Sequence, residues 1–213
     1  MENKFLISLH KIDQLHPTQF CVGQLEIDSK LKLYAKLSSH ELDKLMKIKS
    51  VPLVLGPNQV SYMIDRHHNV STFLQMGIKE IYGHVISDLS HLSLDDFIKV
   101  MKICKWTWLY NQHYKEMDFH QLPTHVSKLV NDPYRGLMYL LREDKILNKD
   151  ESVPFIEFFW AEQIKDHIKN LAPDEDSIHK AYLKIIDLLL TKQLVIKDAD
   201  LNKAKEKSNH VIK

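Results

Sequence analysis

The run Asp65-Arg66-His67-His68-Asn69 places a carboxylate, a guanidinium, two imidazoles and a carboxamide in five consecutive positions. That set can hold an anion, donate hydrogen bonds to it and move a proton. What it does depends on the backbone beneath it. Val51–Leu55 and residues 60–64 are short apolar runs on either side of Gly56-Pro57-Asn58, a strand–turn–strand signature. Behind the cluster, Val70, Phe73, Leu74 and Met76 fall near helical spacing, and Gly77 stands where a helix ends. The cluster is therefore expected at a strand-to-helix turn. The first N–H groups of a helix have no acceptor within it, and the dipole is positive there, so such a turn suits phosphate.

Composition narrows the alternatives. The 213 residues allow one large domain or a compact domain with an appendage. Apolar residues at 44% and charged residues at 27% are ordinary for a soluble globular chain. A formal charge of +1 gives no general reason to expect nucleic acid or an anionic membrane as partner. Five glycines, with neither G-x-x-x-x-G-K-[ST] nor G-x-G-x-x-G, argue against a glycine-rich phosphate loop. Cys21 and Cys104 form no metal-type pair; a reducing compartment is the simpler reading, with one disulfide left open. The apolar run at 5–9 is too short for a signal peptide, and none approaches membrane-spanning length. A cytoplasmic location is the expectation.

The remaining elements follow from pattern. Residues 5–9 read as a strand and His16-Pro17-Thr18-Gln19 as a turn. Residues 24–37 read as a helix with Ile27, Leu31, Tyr34 and Leu37 on its buried stripe. Glu26 and Lys30, four apart, read there as a surface pair. Ser38 with Glu41 predicts a capping box over Ser39–Ile48, and Ser93 with Asp96 caps a helix carrying Phe97, Val100, Met101 and Cys104 at core spacing. Residues 79–86 alternate as a strand, and 111–114 have the composition of a surface loop. Beyond these, helices are expected after Asp132-Pro133 and Val153-Pro154, the second with Phe155, Phe158, Phe159 and Trp160 as core, and over 174–193. Residues 198–213 are charged and poor in apolar positions, and read as a loosely docked end.

A family resemblance covers about residues 15–168. It is carried by His16-Pro17-Thr18-Gln19 with Val22-Gly23 and Glu26 to Lys30, by Val54-Leu55-Gly56-Pro57 leading to Ile64-Asp65-x-His67-His68, and by Asp88-Leu89-Ser90. Downstream, Asp132-Pro133-Tyr134-Arg135 and Pro154-Phe155-x-Glu157-Phe158-x-Trp160-Ala161 extend it. The whole resembles the ParB-like nuclease family, similar in turn to the ParB/sulfiredoxin superfamily. The resemblance implies an α+β fold, a ParB/sulfiredoxin-like small mixed sheet with helices, expected over residues 1–110; the loss of strand–helix alternation after about Cys104 adds a mainly helical extension packed on it over 111–195, and the pattern of charge a tail over 196–213. The resemblance also implies a nucleotide phosphate at the strand-to-helix turn. The amino-acid kinases of the group show Asp-Gly-His-His-Arg there; this chain has Arg66 where Gly is usual and Asn69 where Arg is usual. The closer family usually has His at the Arg66 position. Sulfiredoxins need Cys directly before the motif His, where this chain has His67, so that chemistry is disfavoured.

The site expected is then as follows. Arg66, His68, Asn69 and Arg135 would bind phosphate; Asp65, His67, His68 and Glu26 would be catalytic, Glu26 as the base if its helix lies beside the turn. Adjacent side chains at a helix start diverge by about 100°, so one of the two imidazoles faces elsewhere, which also weakens a two-histidine metal site. Asp65 has a sufficient structural role as a turn residue, and Arg135, at a helix start, calls for a phosphate or carboxylate partner. The ligand expected is a nucleoside triphosphate or diphosphate with Mg²⁺, or another phosphorylated small molecule. The reaction expected is hydrolysis or phosphoryl transfer. A metal-dependent nuclease and a non-catalytic binding module are the alternatives.

Overall fold

A computed structural model describes residues 6–150, 153–197 and 199–211. The chain divides into two units, one of residues 1–22 and 27–130 and one of 23–26 and 131–213.

The first unit is built on a five-stranded mixed sheet of order β1-β6-β4-β5-β2, with β1 (Ser8–Lys11), β2 (Leu15–Pro17), β4 (Val51–Leu55), β5 (Ser61–Met63) and β6 (Glu80–Asp88); β3 (Cys21–Val22) lies outside it. β4 runs antiparallel to β5 and parallel to β6, β1 antiparallel to β6, and β2 parallel to β5. The register of β4 on β6 shifts between Leu53 and Val54, and both residues are fully buried. Successive strand residues face opposite ways. Leu53 accordingly joins a core of Ile12, Leu15, Val51, Met63, Val70 and Phe73, while Val54 joins a second core with Phe97, Met101, Leu109 and Phe119. Both faces are thus covered: the first by α1 (Gln24–Tyr34), α2 (Ser39–Ile48) and α3 (His67–Gln75), the second by α4 (Leu94–Ile103) and the segment after it. α3 ends as its glycine requires. Gly77 has φ 82, its N–H donates to Leu74 O and that of Ile78 to Phe73 O, which closes the last turn.

The second unit is helical, with α5 (Pro133–Glu143), α6 (Ile156–Lys165), α7 (Glu175–Leu190) and α8 (Leu201–Val211), and it includes the first turn of α1. Leu137, Leu141, Trp160, Ile164, Ile185 and Ile186 form its interior.

Several expectations change. β1 begins at Ser8 rather than at residue 5; Phe5 lies outside the described residues. His16 and Pro17 belong to a strand, not a turn, because β2 is the edge strand, where a proline costs no ladder bond. Cys104 is exposed at the end of α4, and Phe159 is 43% exposed, so neither is core. Helix α6 opens at Ile156 behind a left-handed Phe155. The C-terminal stretch is not loose: α8 buries Ala204, Lys207 pairs with Asp144, and Asp200 N–H donates to Ile146 O. Among the described residues no helix is long and apolar enough to cross a membrane.

Candidate functional site

The turn of the first unit is set by the ends of two parallel strands. Thr18, just past β2, is fully buried and donates through Oγ1 to Met63 O, the last residue of β5, at 2.9 Å. Ile64 N–H donates to Pro52 O, which holds the chain beside β4. Asp65 Oδ1 then accepts the Arg66 N–H at 2.7 Å, and Arg66 turns left-handed, φ 68 and ψ 17, immediately before α3. A side chain in that conformation costs about 1–2 kcal/mol.

Arg66 also gives α3 no capping oxygen. Its cationic side chain stands at the positive end of the helix dipole, an unfavourable placement without an anion. Nε of Arg66 lies 3.9 Å from Asp65 Oδ2, and it is buried with no hydrogen-bond acceptor among the described residues. The same guanidinium helps hold the His84 imidazole below its ordinary pKa, after burial, which is the larger cause. His84 Nδ1 is 3.0 Å from Ser50 Oγ.

The two imidazoles of the motif differ. His67 is 3% exposed, and its Nε2 accepts the Thr18 N–H at 3.1 Å. A ring that accepts there cannot carry a proton on Nε2, so a neutral His67 has its proton on Nδ1. This ring is tied to the end of β2. His68, also in the first turn of α3, is 9% exposed. Asn69 is buried, and its Oδ1 accepts from Lys30 Nζ at 2.7 Å and from Tyr34 OH at 3.4 Å. Lys30 thereby brings an ammonium to the first turn of α3. The sequence reading left it on the surface, although Lys30 lies three residues after Ile27 and four before Tyr34, both buried on one helix face. That spacing was the available signal. His16 and Tyr62 meet edge to face at 5.5 Å near the same strand ends, and burial lowers the pKa of the first and raises that of the second.

Glu26 and Arg135 lie in the second unit, with two residues the sequence reading did not single out as a site. Asp132 caps α5 by accepting the Tyr134 N–H at 2.9 Å, and Pro133 takes the first helical position. Arg135, 6% exposed, meets Glu157 Oε2 at 2.5 Å and lies over the Phe158 ring at 4.2 Å. Its partner here is a carboxylate. Arg142, two turns on, pairs with Glu157 as well and reaches Glu26 Oε1 at 3.5 Å. Glu26 is 4% exposed, so the surface-pair reading does not hold. Gly23 makes the approach of the first turn of α1 to α5 possible: a Cβ on it would meet Gly136 N at 2.8 Å. Two cations and two carboxylates, mutually neutralising, occupy this buried cluster.

Cys21 and Cys104 are both free thiols. Among the described residues no group of three or more His, Cys, Asp or Glu is arranged to hold a metal ion.

Comparison with known proteins places this architecture. No curated protein matches the chain. A solved structure, protein Atu1540 from Agrobacterium tumefaciens, is similar to it at 28% identity and a TM-score of 0.75, over 89% of this chain and 96% of that one. A Pnob8-like ParB-N domain aligns over 90% of this chain and 98% of its own at 14% identity, with a TM-score of 0.21, too low to support any argument. That likeness supports the α+β fold of mixed sheet and helices described above. The family model described as "Putative ParB-like nuclease" matches residues 9–166, most of the chain. By its sequence and its fold, the chain belongs to that ParB-like family.

Proposed function

We propose that the start of α3 binds the phosphate of a nucleotide or other phosphorylated small molecule, and that the protein hydrolyses or transfers a phosphoryl group there. The observation that carries this reading is Arg66: a left-handed, uncapped helix start bearing a guanidinium whose buried Nε has no hydrogen-bond acceptor among the described residues. Strained backbone of this kind persists where the surroundings impose it, often at binding sites. A phosphate would supply the missing acceptor and offset the unfavourable dipole. Lys30 adds a second cation to the first turn through Asn69, and His68 stands in the same turn as a donor. The exposed Asp65 carboxylate supports a role toward a divalent ion carried in by a nucleotide.

The division of labour follows from chemistry. Arg66, the α3 N–H groups and His68 would orient phosphate and take up charge that develops in the transition state. His67, tied through Nε2, would act as a positioning residue. The family description supports a second reading, phosphodiester hydrolysis, in which the same cations hold a nucleic-acid phosphate.

Thermal-shift titration with the four nucleoside triphosphates, with and without Mg²⁺, tests the site. Binding at a hundredfold excess over Kd adds about 2.7 kcal/mol of apparent stability. A shift lost in Arg66→Ala, together with phosphate release, supports the first reading. Cleavage of oligonucleotides with a steep salt dependence and no release from triphosphates supports the second. No shift and no turnover with either substrate class rejects both.

A further inference from the structure

The formal charge of +1 is unevenly spread over the chain. Residues 29–50 hold six lysines against Glu41 and Asp43, a net charge of +4, so the rest of the chain carries −3. This stretch is the second half of α1, the turn after it and α2. Both helices lie over one core of the first unit: Tyr34 of α1 belongs to it, and Leu42, Leu45 and Met46 of α2 pack against it. A residue two positions from an inward one stands about 200° round a helix, on its outer side. Lys32, two before Tyr34, is accordingly exposed. So are Lys44, two from both Leu42 and Met46, and Ile48, two after Met46. Lys36, in the turn after α1, is exposed as well. Because one core lies beneath both helices, their outer sides look the same way.

The acids of this stretch are engaged locally. Glu41 Oε2 accepts from the Ser38 N–H at 2.8 Å and from its hydroxyl at 2.6 Å, while Asp43 is bound by Lys47 at 2.8 Å and by Tyr82 OH at 2.9 Å. Lys32, Lys36 and Lys44 take part in no ion pair among the described residues. Two aliphatic side chains stand among these lysines: Leu33 is 58% exposed and Ile48 65%. Lysine is a point charge on a long apolar stem, suited to lie across a boundary between apolar and polar layers with its head in water. None of the six cations is arginine, the residue that grips phosphodiesters and carboxylates in two-pronged fashion. A nucleic-acid backbone offers nothing to Leu33 or Ile48, whereas the acyl boundary beneath a layer of anionic headgroups takes up both kinds of side chain.

We propose that the outer surface of α1 and α2 docks on an anionic phospholipid leaflet, with Lys32, Lys36 and Lys44 among the headgroups and Leu33 and Ile48 entering the acyl boundary. The contact is peripheral, and its charged part weakens as salt shortens the reach of the lysines. The inference goes beyond the phosphate reading and uses none of the residues assigned to it.

Cosedimentation of the full chain with vesicles tests it, one set made of phosphatidylcholine alone and one equimolar in phosphatidylserine. Binding to the anionic set is expected. Each lysine near an anionic leaflet strengthens binding about fivefold, so Lys32→Gln with Lys44→Gln should weaken it by about tenfold or more. Leu33→Ser with Ile48→Ser should weaken it by about threefold or more. All four side chains are exposed, so both double variants are expected to fold with the wild-type Tm. The proposal is overturned if the wild type does not sediment with anionic vesicles, if it sediments equally with phosphatidylcholine alone, or if the aliphatic variant binds as the wild type does. Binding of a duplex oligonucleotide that is lost in the lysine variant, without vesicle binding, would assign the surface to nucleic acid and also overturn it.

Discussion

Arg66→Gly separates the demands of folding from those of binding at the α3 start, because the two should respond with opposite signs. In the present backbone, φ 68 at Arg66 carries a left-handed penalty of about 1–2 kcal/mol. Glycine adopts that conformation without strain but loses about 0.5–1 kcal/mol more on ordering. The substitution also removes the Asp65–Arg66 contact, whose side chains are 60% and 38% exposed; a pair so exposed contributes little. The sum is a net gain of about 0.5–1 kcal/mol, or roughly 1–4 °C in Tm for a chain of this size. Binding should move the other way. Losing one charged hydrogen bond to phosphate costs about 1.5–3 kcal/mol, tenfold to more than hundredfold in Kd. Urea unfolding gives the first quantity, and calorimetric titration with a nucleoside triphosphate gives the second. Arg66→Ala is the control: it removes the cation and keeps the strain, so it should weaken binding with no gain in stability. An Arg66→Gly protein that is less stable than wild type, or that binds phosphate equally well, would refute the argument that strain at this residue is retained for an anion.

Three further outcomes follow from named contacts. His67→Gln, whose Oε1 can replace the Nε2 acceptor, should keep stability within about 1 kcal/mol, whereas His67→Ala leaves the buried Thr18 N–H without its acceptor at a cost of about 1–3 kcal/mol; urea midpoints distinguish them. The folded-state pKa of His84 is lowered by burial and then by Arg66, and those of His10 and His16 by burial. The unfolded chain therefore takes up protons first as pH falls below the ordinary histidine value of 6.5, so stability should be full above that pH and decline through the lowered folded values, with a smaller decline in Arg66→Met, as read from Tm against pH. Arg135→Ala removes a buried partner of Glu157 and should cost about 3–5 kcal/mol by chemical denaturation.

Much of the fold was legible because local signals and tertiary structure agreed. The capping box at Ser38 and Glu41, the Ser93 cap, the Asp132-Pro133 start and the stripe of α7 appear as read. The turn was legible for the same reason: two apolar runs with a breaker between them pair as β4 and β5, and Gly77 ends α3 in a positive-φ conformation. Failures came where burial carries no period. Trp108, Leu109 and Phe119 are buried in a segment without helical or strand repeat, and tertiary packing alone places them. Pro17 was read by its usual habit as a turn former, and only the edge position of β2 makes it a strand residue. Within the turn, residue types were visible, but the role of each side chain was not. That His67 accepts from Thr18, 49 positions away, is a fact of topology.

The two departures from the kinase-like motif can be understood together. Against the kinase pattern that the sequence resembles, residue 66 is arginine where glycine is usual, and it stands in a left-handed conformation at the helix start. Residue 69 is asparagine where that pattern has arginine, and the Asn69 carbonyl oxygen accepts from Lys30 of α1. A cation is therefore absent from the third position of α3 but present on both sides of its first turn, one from the preceding turn and one from a neighbouring helix. Neither substitution is favourable for an empty helix start: arginine is a poor N-cap, and a buried amide gains little from holding a lysine at the positive end of a dipole. Both become favourable if an anion occupies the turn. The double substitution Arg66→Gly with Asn69→Arg restores the kinase-like pattern, so it should recover phosphate binding lost in Arg66→Gly alone; failure to recover would show that the cations at residue 66 and on Lys30 are not interchangeable with one at residue 69.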